Sequence, residues 1–139
     1  MLAARIRLAA RVRSFYDSLV RKLDSLQAWN TGRVVARRAY GLTLNEPLSK
    51  HFGLSDQIRR ASISIPANIA EGYALGTTPQ FIKHLQIALG SSTELATHLE
   101  LVRDFEFASS PDVDEALTLA NKEIGLLIGL VYTLKRRSR

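Results

Sequence analysis

The chain has 139 residues, of which 46% are apolar and 23% charged, the composition of one ordinary folded domain. It contains no cysteine, which excludes a disulfide framework, a thiolate metal site and a cysteine nucleophile, and which fits the cytoplasm. The net charge of +6 is unevenly placed: residues 1–22 hold six basic and one acidic residue (+5), residues 135–139 four basic ones (+4), and residues 23–134 nine basic and twelve acidic ones (−3). We therefore expect a polyanionic partner at the two ends.

Residues 1–22 predict a basic amphipathic helix that precedes the main domain. Its apolar residues recur at steps of three and four and continue into the next segment: Leu8, Val12, Phe15, Leu19, Leu23 and Leu26. Arginines interrupt any secretory signal here. An extra helix is the first interpretation; an organellar presequence, a nucleic-acid-binding arm, an arm packed on a neighbouring subunit and a wrongly assigned start codon are the alternatives.

The first helix of the main domain, 23–139, is expected to start with Asp24 or Ser25 as its cap and to end near Leu44, before Pro47. Its predicted inner face comprises Leu26, Trp29, Val35, Ala36, Ala39 and Leu42. Its other side carries Arg33, Arg37 and Arg38.

The central segment, GLSDQIRRASISIPANIAEG at 53–72, predicts a buried helix. Its apolar residues lie on one face and spread beyond it: Leu54, Ile58, Ala61, Ile65 and Ile69, widened by Ile63, Ala67 and Ala70. Pro66 lacks an N–H and predicts a kink, with Ser62 or Ser64 bonding the freed backbone groups. Asn68 and Glu71 are interpreted mainly as caps or interhelix hydrogen-bonding groups, because unpaired polar groups are costly on such a helix.

Two further helices have clear starts. Thr77 and Gln80 have capping-box spacing before a seam of Phe81, Leu85, Ala88, Ser92, Leu95, Leu99 and Val102. Gly90 and the two serines after it predict close approach of a neighbouring backbone. The last helix is expected to start at Ser109 or Ser110, with Val113, Leu117, Ala120, Ile124, Leu127, Val131 and Leu134 facing inward. Its all-apolar run, residues 124–132, is too short to span a bilayer, so no membrane partner is predicted and a second subunit is expected to cover it.

The block SISIPANIAEG at 62–72, with FGLSDQIRR before it and FIKHLQIALGSSTEL at 81–95, resembles the four-helix-bundle family of 23S rRNA intervening-sequence proteins. The motif residues are Ser64, Ile65, Pro66, Asn68, Glu71 and Gly72. The resemblance covers about 23–134 and not residues 1–22. It implies a bacterial, antiparallel up-down-up-down four-helix bundle that assembles into a homopentamer. The fold is also similar to the accessory protein of diversity-generating retroelements, which implies nucleic acid and a reverse transcriptase as partners.

No pattern of an enzyme or a cofactor site is present. His84 and His98 lie fourteen residues apart on one helix, about 21 Å, too far to share a metal, and His51 has no acidic cluster beside it. Glu71, Glu94 and Glu100 do not form the Glu-x-x-His pairs of bundle metal sites. We predict no enzyme activity, no metal and no cofactor.

The function predicted from these observations is that of a non-enzymatic homo-oligomer that binds nucleic acid, plausibly rRNA, through basic patches. The alternative is a structural or protein-interaction module, for example an accessory subunit of a reverse transcriptase that does not itself bind nucleic acid. An ion pair of Arg59 or Arg60 with Glu71 or a neighbour's carboxylate favours that alternative. The candidate nucleic-acid-binding residues are Arg33, Arg37, Arg38, Arg59, Arg60, Lys135, Arg136, Arg137 and Arg139.

Overall fold

The structure is a computed structural model that describes residues 1–138, and this part of the chain is helical without a strand. The five α-helices are α1 (Leu2–Asp24), α2 (Gln27–Leu42), α3 (Phe52–Ala74), α4 (Thr78–Phe105) and α5 (Ser110–Arg137). A short 3₁₀ helix, Leu48–Lys50, lies between α2 and α3. The prediction of an all-α protein is confirmed.

Helices α2 to α5 pack around one apolar core. Helix α3 packs on α2 and α4, and α5 packs on α4 and α2, so the four helices enclose the core between them. The core is built from aliphatic side chains without an aromatic one among the fully buried, including Val35, Ile58, Ile65, Ile69, Leu85, Leu95, Leu99 and Leu127. These are the residues that recur at steps of three and four, which is why the helical bundle follows from the sequence pattern.

Helix α1 stands largely apart from this bundle. Leu23 is its one buried residue, and residues 18–20 are partly covered. The apolar residues of its first half are exposed. The predicted extra helix is therefore present, and it meets the bundle mainly through its last turns.

The predicted start of the first bundle helix is wrong. Ser25 donates its hydroxyl to the Lys22 carbonyl (2.5 Å), so it bonds the end of α1 instead of capping α2. Leu26 occupies the N-cap position of α2 and makes no side-chain cap bond. Asn30 instead donates to the Asp24 carbonyl (2.6 Å), which ties the first turn of α2 back to α1.

The predicted start of α4 is confirmed. Thr77 is its N-cap and accepts a hydrogen bond from the Gln80 backbone N–H (3.4 Å), as the capping-box spacing requires. The predicted seam is buried from Leu85 to Val102. Helix α5 has Ser109 as N-cap, with its hydroxyl on the Asp112 carboxylate (2.7 Å).

Two finer predictions have different outcomes. Helix α3 continues through Pro66 without a break, and the bend at Pro66 stays a prediction. The Ser62 hydroxyl donates to the Arg59 carbonyl (2.9 Å). The predicted close approach at residues 90–92 occurs through Ser91, whose hydroxyl donates to the Ser64 hydroxyl of α3 at 2.9 Å, whereas a Cβ at Gly90 would meet no atom of the described chain within 4 Å. Close contacts at a glycine occur at Gly32 and Gly72.

The predominantly apolar part of helix α5 is longer than the all-apolar run of nine residues at 124–132. By length and composition it is the one helix within residues 1–138 that could cross a membrane. Its inner face, including Val113, Leu117 and Leu127, is buried against the bundle. Because the core helix of a soluble protein meets the same criteria, this is weak evidence for a membrane span.

Candidate nucleic-acid interface

The polar residues of the α3 motif form a hydrogen-bonded link between α3 and α4. Asn68 donates its Nδ2 to the carbonyl and to the hydroxyl of Ser64 (both 2.9 Å), while its Oδ1 lies 3.1 Å from Nδ1 of His84. Ser91 donates to the Ser64 hydroxyl at 2.9 Å. Two contacts therefore cross between the helices, as the interpretation of Asn68 as an interhelix group predicts.

Gly72 allows this link to form at short range. A Cβ at position 72 would lie 2.5 Å from Cβ of His84 and 3.3 Å from Cα of Phe81, so only glycine fits. Glu71 reaches the same imidazole at 3.8 Å from its exposed carboxylate. Ile65 completes the motif in the core, where it is fully buried. The geometry of these residues explains the motif through packing and hydrogen bonding between α3 and α4.

The three histidines have neighbours that position them within the fold. His51 stacks on Phe107 with ring centroids 3.7 Å apart, and His98 pairs with Glu94 one turn earlier at 3.2 Å. Within residues 1–138, no group of three or more His, Asp or Glu side chains could hold a metal ion.

Two of the predicted nucleic-acid-binding arginines are engaged in ion pairs within the chain. Arg38 pairs with Glu115 of α5 at 3.3 Å, and Arg60 pairs with Asp56 one turn earlier at 3.0 Å. Both pairs are exposed, so each contributes little to stability and remains open to competition by phosphate. Within the described chain neither Arg59 nor Arg60 pairs with Glu71, since Arg60 pairs with Asp56 and Arg59 donates to Thr43, and an ion pair with a neighbour's carboxylate stays a prediction.

Arg59 is held by polar and aromatic groups instead of a carboxylate. Its Nε donates to the Thr43 hydroxyl at 2.8 Å, and its guanidinium lies 5.0 Å from the ring centre of Tyr40. This joins the end of α2 to α3. Arg33 is exposed and lies over Trp29 at 4.6 Å. The two arginines thus have different positions: Arg59 is half-buried in a helix contact, and Arg33 is at the surface.

The remaining candidates are exposed. Arg37 lies on the surface of α2, and Lys135, Arg136 and Arg137 form the last turn of α5. Within residues 1–138 these four side chains have no ion pair with a carboxylate. Arg139 lies outside the described residues.

The structure separates the candidate residues into two regions. One cleft brings Arg137 of α5 beside Ser25 and Leu26, which directly follow α1. A second cleft places Lys22 of α1 near the turn at Gly76. Arg37 and Arg38 line a different cleft with Asp112 and Glu115, at the start of α5. Arg137 therefore lies beside the residues that follow α1, whereas Arg37 and Arg38 lie beside acidic residues.

Sequence reasoning missed Glu123, the one fully buried charged residue in the described core. It projects from α5 between α2 and α3, with Gly32 and Ile65 as neighbours, and neither of its oxygens has a hydrogen-bond partner in the described structure. Burial raises the pKa of Glu123 to about 8, against a smaller opposing effect of Lys122. The signal for it was available, since Ala120, Glu123 and Leu127 follow the same steps of three and four as the seam.

The geometry defines an all-helical bundle with an interhelix hydrogen-bonded link and exposed basic ends. A family model described as 23S rRNA-intervening sequence protein matches residues 24–129, which shows that the chain belongs to that family. A crystal structure of a protein of unknown function from the S23 ribosomal protein family of Bacteroides thetaiotaomicron is similar, with 29% identity and a TM-score of 0.69. The similarity covers 75% of this chain and 97% of that one. None of the curated proteins matches the chain. The family match begins at residue 24, so nearly all of α1 lies outside it.

Proposed function

We propose that this protein is a non-enzymatic homo-oligomer that binds nucleic acid through the basic side chains at the C-terminal ends of α5 and α1. The observation that carries this proposal is the run of three exposed basic residues, Lys135, Arg136 and Arg137, in the last turn of α5, of which Arg137 lines a cleft with Ser25 and Leu26. Lys22, near the end of α1, lines a separate cleft with Gly76 and adds a further basic residue. Phosphate groups are the anions that such closely spaced, flexible cations bind without a sequence-specific arrangement.

The charge distribution supports nucleic acid over a small anionic ligand. Residues 1–22 and 135–139 together carry +9 (+5 and +4), whereas residues 23–134 carry −3. A nucleic acid would contact the ends and be repelled by much of the body, which orients it. The family's name refers to 23S rRNA, so RNA is the first nucleic acid to test.

Oligomer formation would multiply these contacts. Ile63 of α3 and Ile128 and Tyr132 of α5 are more than half exposed in the single chain. Gly125 and Gly129 of α5 also face open space. A second copy is the proposed cover for these apolar surfaces, and the family resemblance makes a pentamer the preferred number of subunits.

The test is the salt dependence of RNA binding. We expect the full chain to bind mixed-sequence single-stranded RNA at low salt, with each phosphate contact contributing about −0.7 to the slope of log K against log salt concentration. Replacement of Lys135, Arg136 and Arg137 by alanine should weaken binding and flatten the slope. The matched control replaces Arg33, Arg38 and Arg60 by alanine, which removes the same charge elsewhere. Its slope of log K against log salt concentration should stay closer to that of the wild type. Absence of binding to RNA and to DNA at low salt would contradict the proposal.

The second candidate function is a protein-interaction module, such as a reverse-transcriptase accessory subunit. It is favoured because three of the candidate arginines already contact other side chains of the same chain. Arg38, Arg59 and Arg60 already contact groups of the same chain, as structural residues do. If the Arg59→Ala and Arg60→Ala variants lose assembly while RNA binding by the wild type is absent, this second function is preferred.

A further inference from the structure

Helix α1 carries an apolar surface that the bundle does not cover. Its large apolar side chains are more than half exposed along the whole first two-thirds of the helix: Met1, Leu2, Ile6, Leu8, Val12, Phe15 and Tyr16. Leu8, Ala9, Val12 and Tyr16 form one open surface of this helix, together with Arg5 and Arg13. Such a surface needs a partner that removes it from water.

The other side of the same helix is basic. At 3.6 residues per turn, Leu8, Val12, Phe15 and Leu19 follow one line along α1. Arg7 and Arg21 lie on the opposite half with Ser14 between them, whereas Arg11 and Lys22 flank the apolar line, and Lys22 shares a cleft with Phe15 and Leu19. Helix α1 therefore presents an apolar half that basic residues flank and a polar half that carries Arg7 and Arg21.

A partner that fits both halves must combine an apolar interior with a negatively charged surface. A nucleic acid offers phosphates but no apolar phase for Leu8, Val12 and Phe15. A second α1 offers apolar contact but carries the same net charge of +5 over residues 1–22. The bundle of a second copy carries −3 over residues 23–134, and its exposed Ile63, Ile128 and Tyr132 belong to the subunit contact proposed above. A lipid bilayer with acidic head groups offers both. The geometry points to α1 as an interfacial helix that lies on anionic lipid, beyond the proposed nucleic-acid function of the protein.

The arrangement fits a helix in the plane of the lipid surface and not across it. Five arginines and a lysine over residues 1–22 exclude a span. An interfacial helix nevertheless departs from the sequence prediction of no membrane partner. Arg5 and Arg13, which share this surface, can bury their aliphatic stems while their guanidinium groups reach the head groups. Phe15 and Leu19 line a cleft with the end of α3 and the start of α4, so the part of the apolar half that is free to insert is the part up to Val12, with the outer side of Phe15.

The experiment is flotation of the full chain with vesicles. We expect binding to vesicles of phosphatidylcholine and phosphatidylglycerol in equal parts, and little binding to phosphatidylcholine alone. The Leu8→Ser/Phe15→Ser variant keeps every charge and should reduce the bound fraction about tenfold or more. Its matched control is Leu44→Ser/Phe52→Ser: these side chains are 64% and 79% exposed, against 63% and 68% for Leu8 and Phe15. The control should bind like the wild type.

RNA binding of the same variants separates this inference from the proposed function. The Leu8→Ser/Phe15→Ser variant should keep the RNA affinity of the wild type, because no basic residue is altered. If the wild type does not bind RNA, the flotation result is unaffected. Equal binding of wild type and variant to the anionic vesicles would overturn the inference. The inference would also be overturned if the wild type does not float with the vesicles and the Leu8→Ser/Phe15→Ser variant sediments as a smaller species. That result would assign the apolar half of α1 to a second copy of the chain.

Discussion

The carboxyl group of Glu123 lies against Gly32: a Cβ at position 32 would be 2.5 Å from its Oε2. Helix α2 thus approaches α5 at the place where α5 buries an acidic side chain. Ile65 of α3 closes the same space, since its Cγ2 would be 3.1 Å from that Cβ. Three helices therefore meet around one carboxyl group that has no hydrogen-bond partner in the described structure.

We predict that the stability of the protein falls as pH rises. Burial raises the pKa of Glu123 from 4.5 to about 8 in the folded state, so between these values the folded protein holds a proton that the unfolded chain releases. The free energy of unfolding should then decrease by up to about 1.4 kcal/mol per pH unit in this window. Urea unfolding at several pH values measures it. The Glu123→Gln variant, which cannot ionise, should show a smaller decrease; the same slope in both proteins would contradict the assignment.

A second prediction concerns the contact itself. The Gly32→Ala substitution should lower the free energy of unfolding by about 1–3 kcal/mol, because the added methyl group meets Glu123 and Ile65 in a packed core. In a Glu123→Ala background the same substitution should cost less, since the carboxyl group is gone. Unfolding of the four proteins of this double-mutant cycle gives the coupling. Additive effects would show that the two residues do not interact.

A third prediction compares two glycines in helices. Gly72→Ala should destabilise the protein by about 1–3 kcal/mol, because its Cβ would meet both the Cβ of His84 and the Cα of Phe81, and a backbone atom cannot move aside cheaply. Gly90→Ala is the control, since a Cβ there meets nothing within 4 Å of the described chain. It should be neutral or stabilise by up to about 1 kcal/mol through helix propensity. Thermal unfolding measures both, and a loss at Gly90 equal to that at Gly72 would indicate that a neighbouring subunit contacts Gly90.

The helices were predictable from the sequence because burial follows a regular spacing. Leu85, Leu95, Leu99 and Val102 are buried as their steps of three and four require, and Thr77 caps α4 as its spacing to Gln80 predicts. The start of α2 was not predictable in this way. Ser25 can bond either a preceding carbonyl or a following N–H, and only the turn between α1 and α2 decides which.

The candidate site shows the same division. The exposure of Lys135, Arg136 and Arg137 follows from their place at a charged helix end, whereas the partners of Arg38 and Arg60 depend on which carboxylates packing brings near. Glu123 was not predicted to be buried, because polar residues are expected on outer faces and the predicted inner face of α5 included its neighbour Ile124. Its neighbour Gly32 lies about ninety residues away in the sequence, so no local pattern joins the two.

The last prediction concerns assembly. Gly129 follows the exposed Ile128 on α5 and lines the cleft that contains Leu26 and Arg137, and a Cβ there meets nothing within 4 Å in the described chain. If a second copy covers this surface, Gly129→Asp places an unpaired charge in the interface and should dissociate the assembly. Sedimentation at micromolar concentration should show an oligomer for the wild type and a smaller species for the variant, with the helical circular dichroism signal largely retained. Gly53→Asp is the control: that glycine is also exposed and open, and an acidic residue in the first turn of α3 is favourable there. A monomeric wild type, or an oligomer that both variants leave intact, would show that this surface is not the subunit contact.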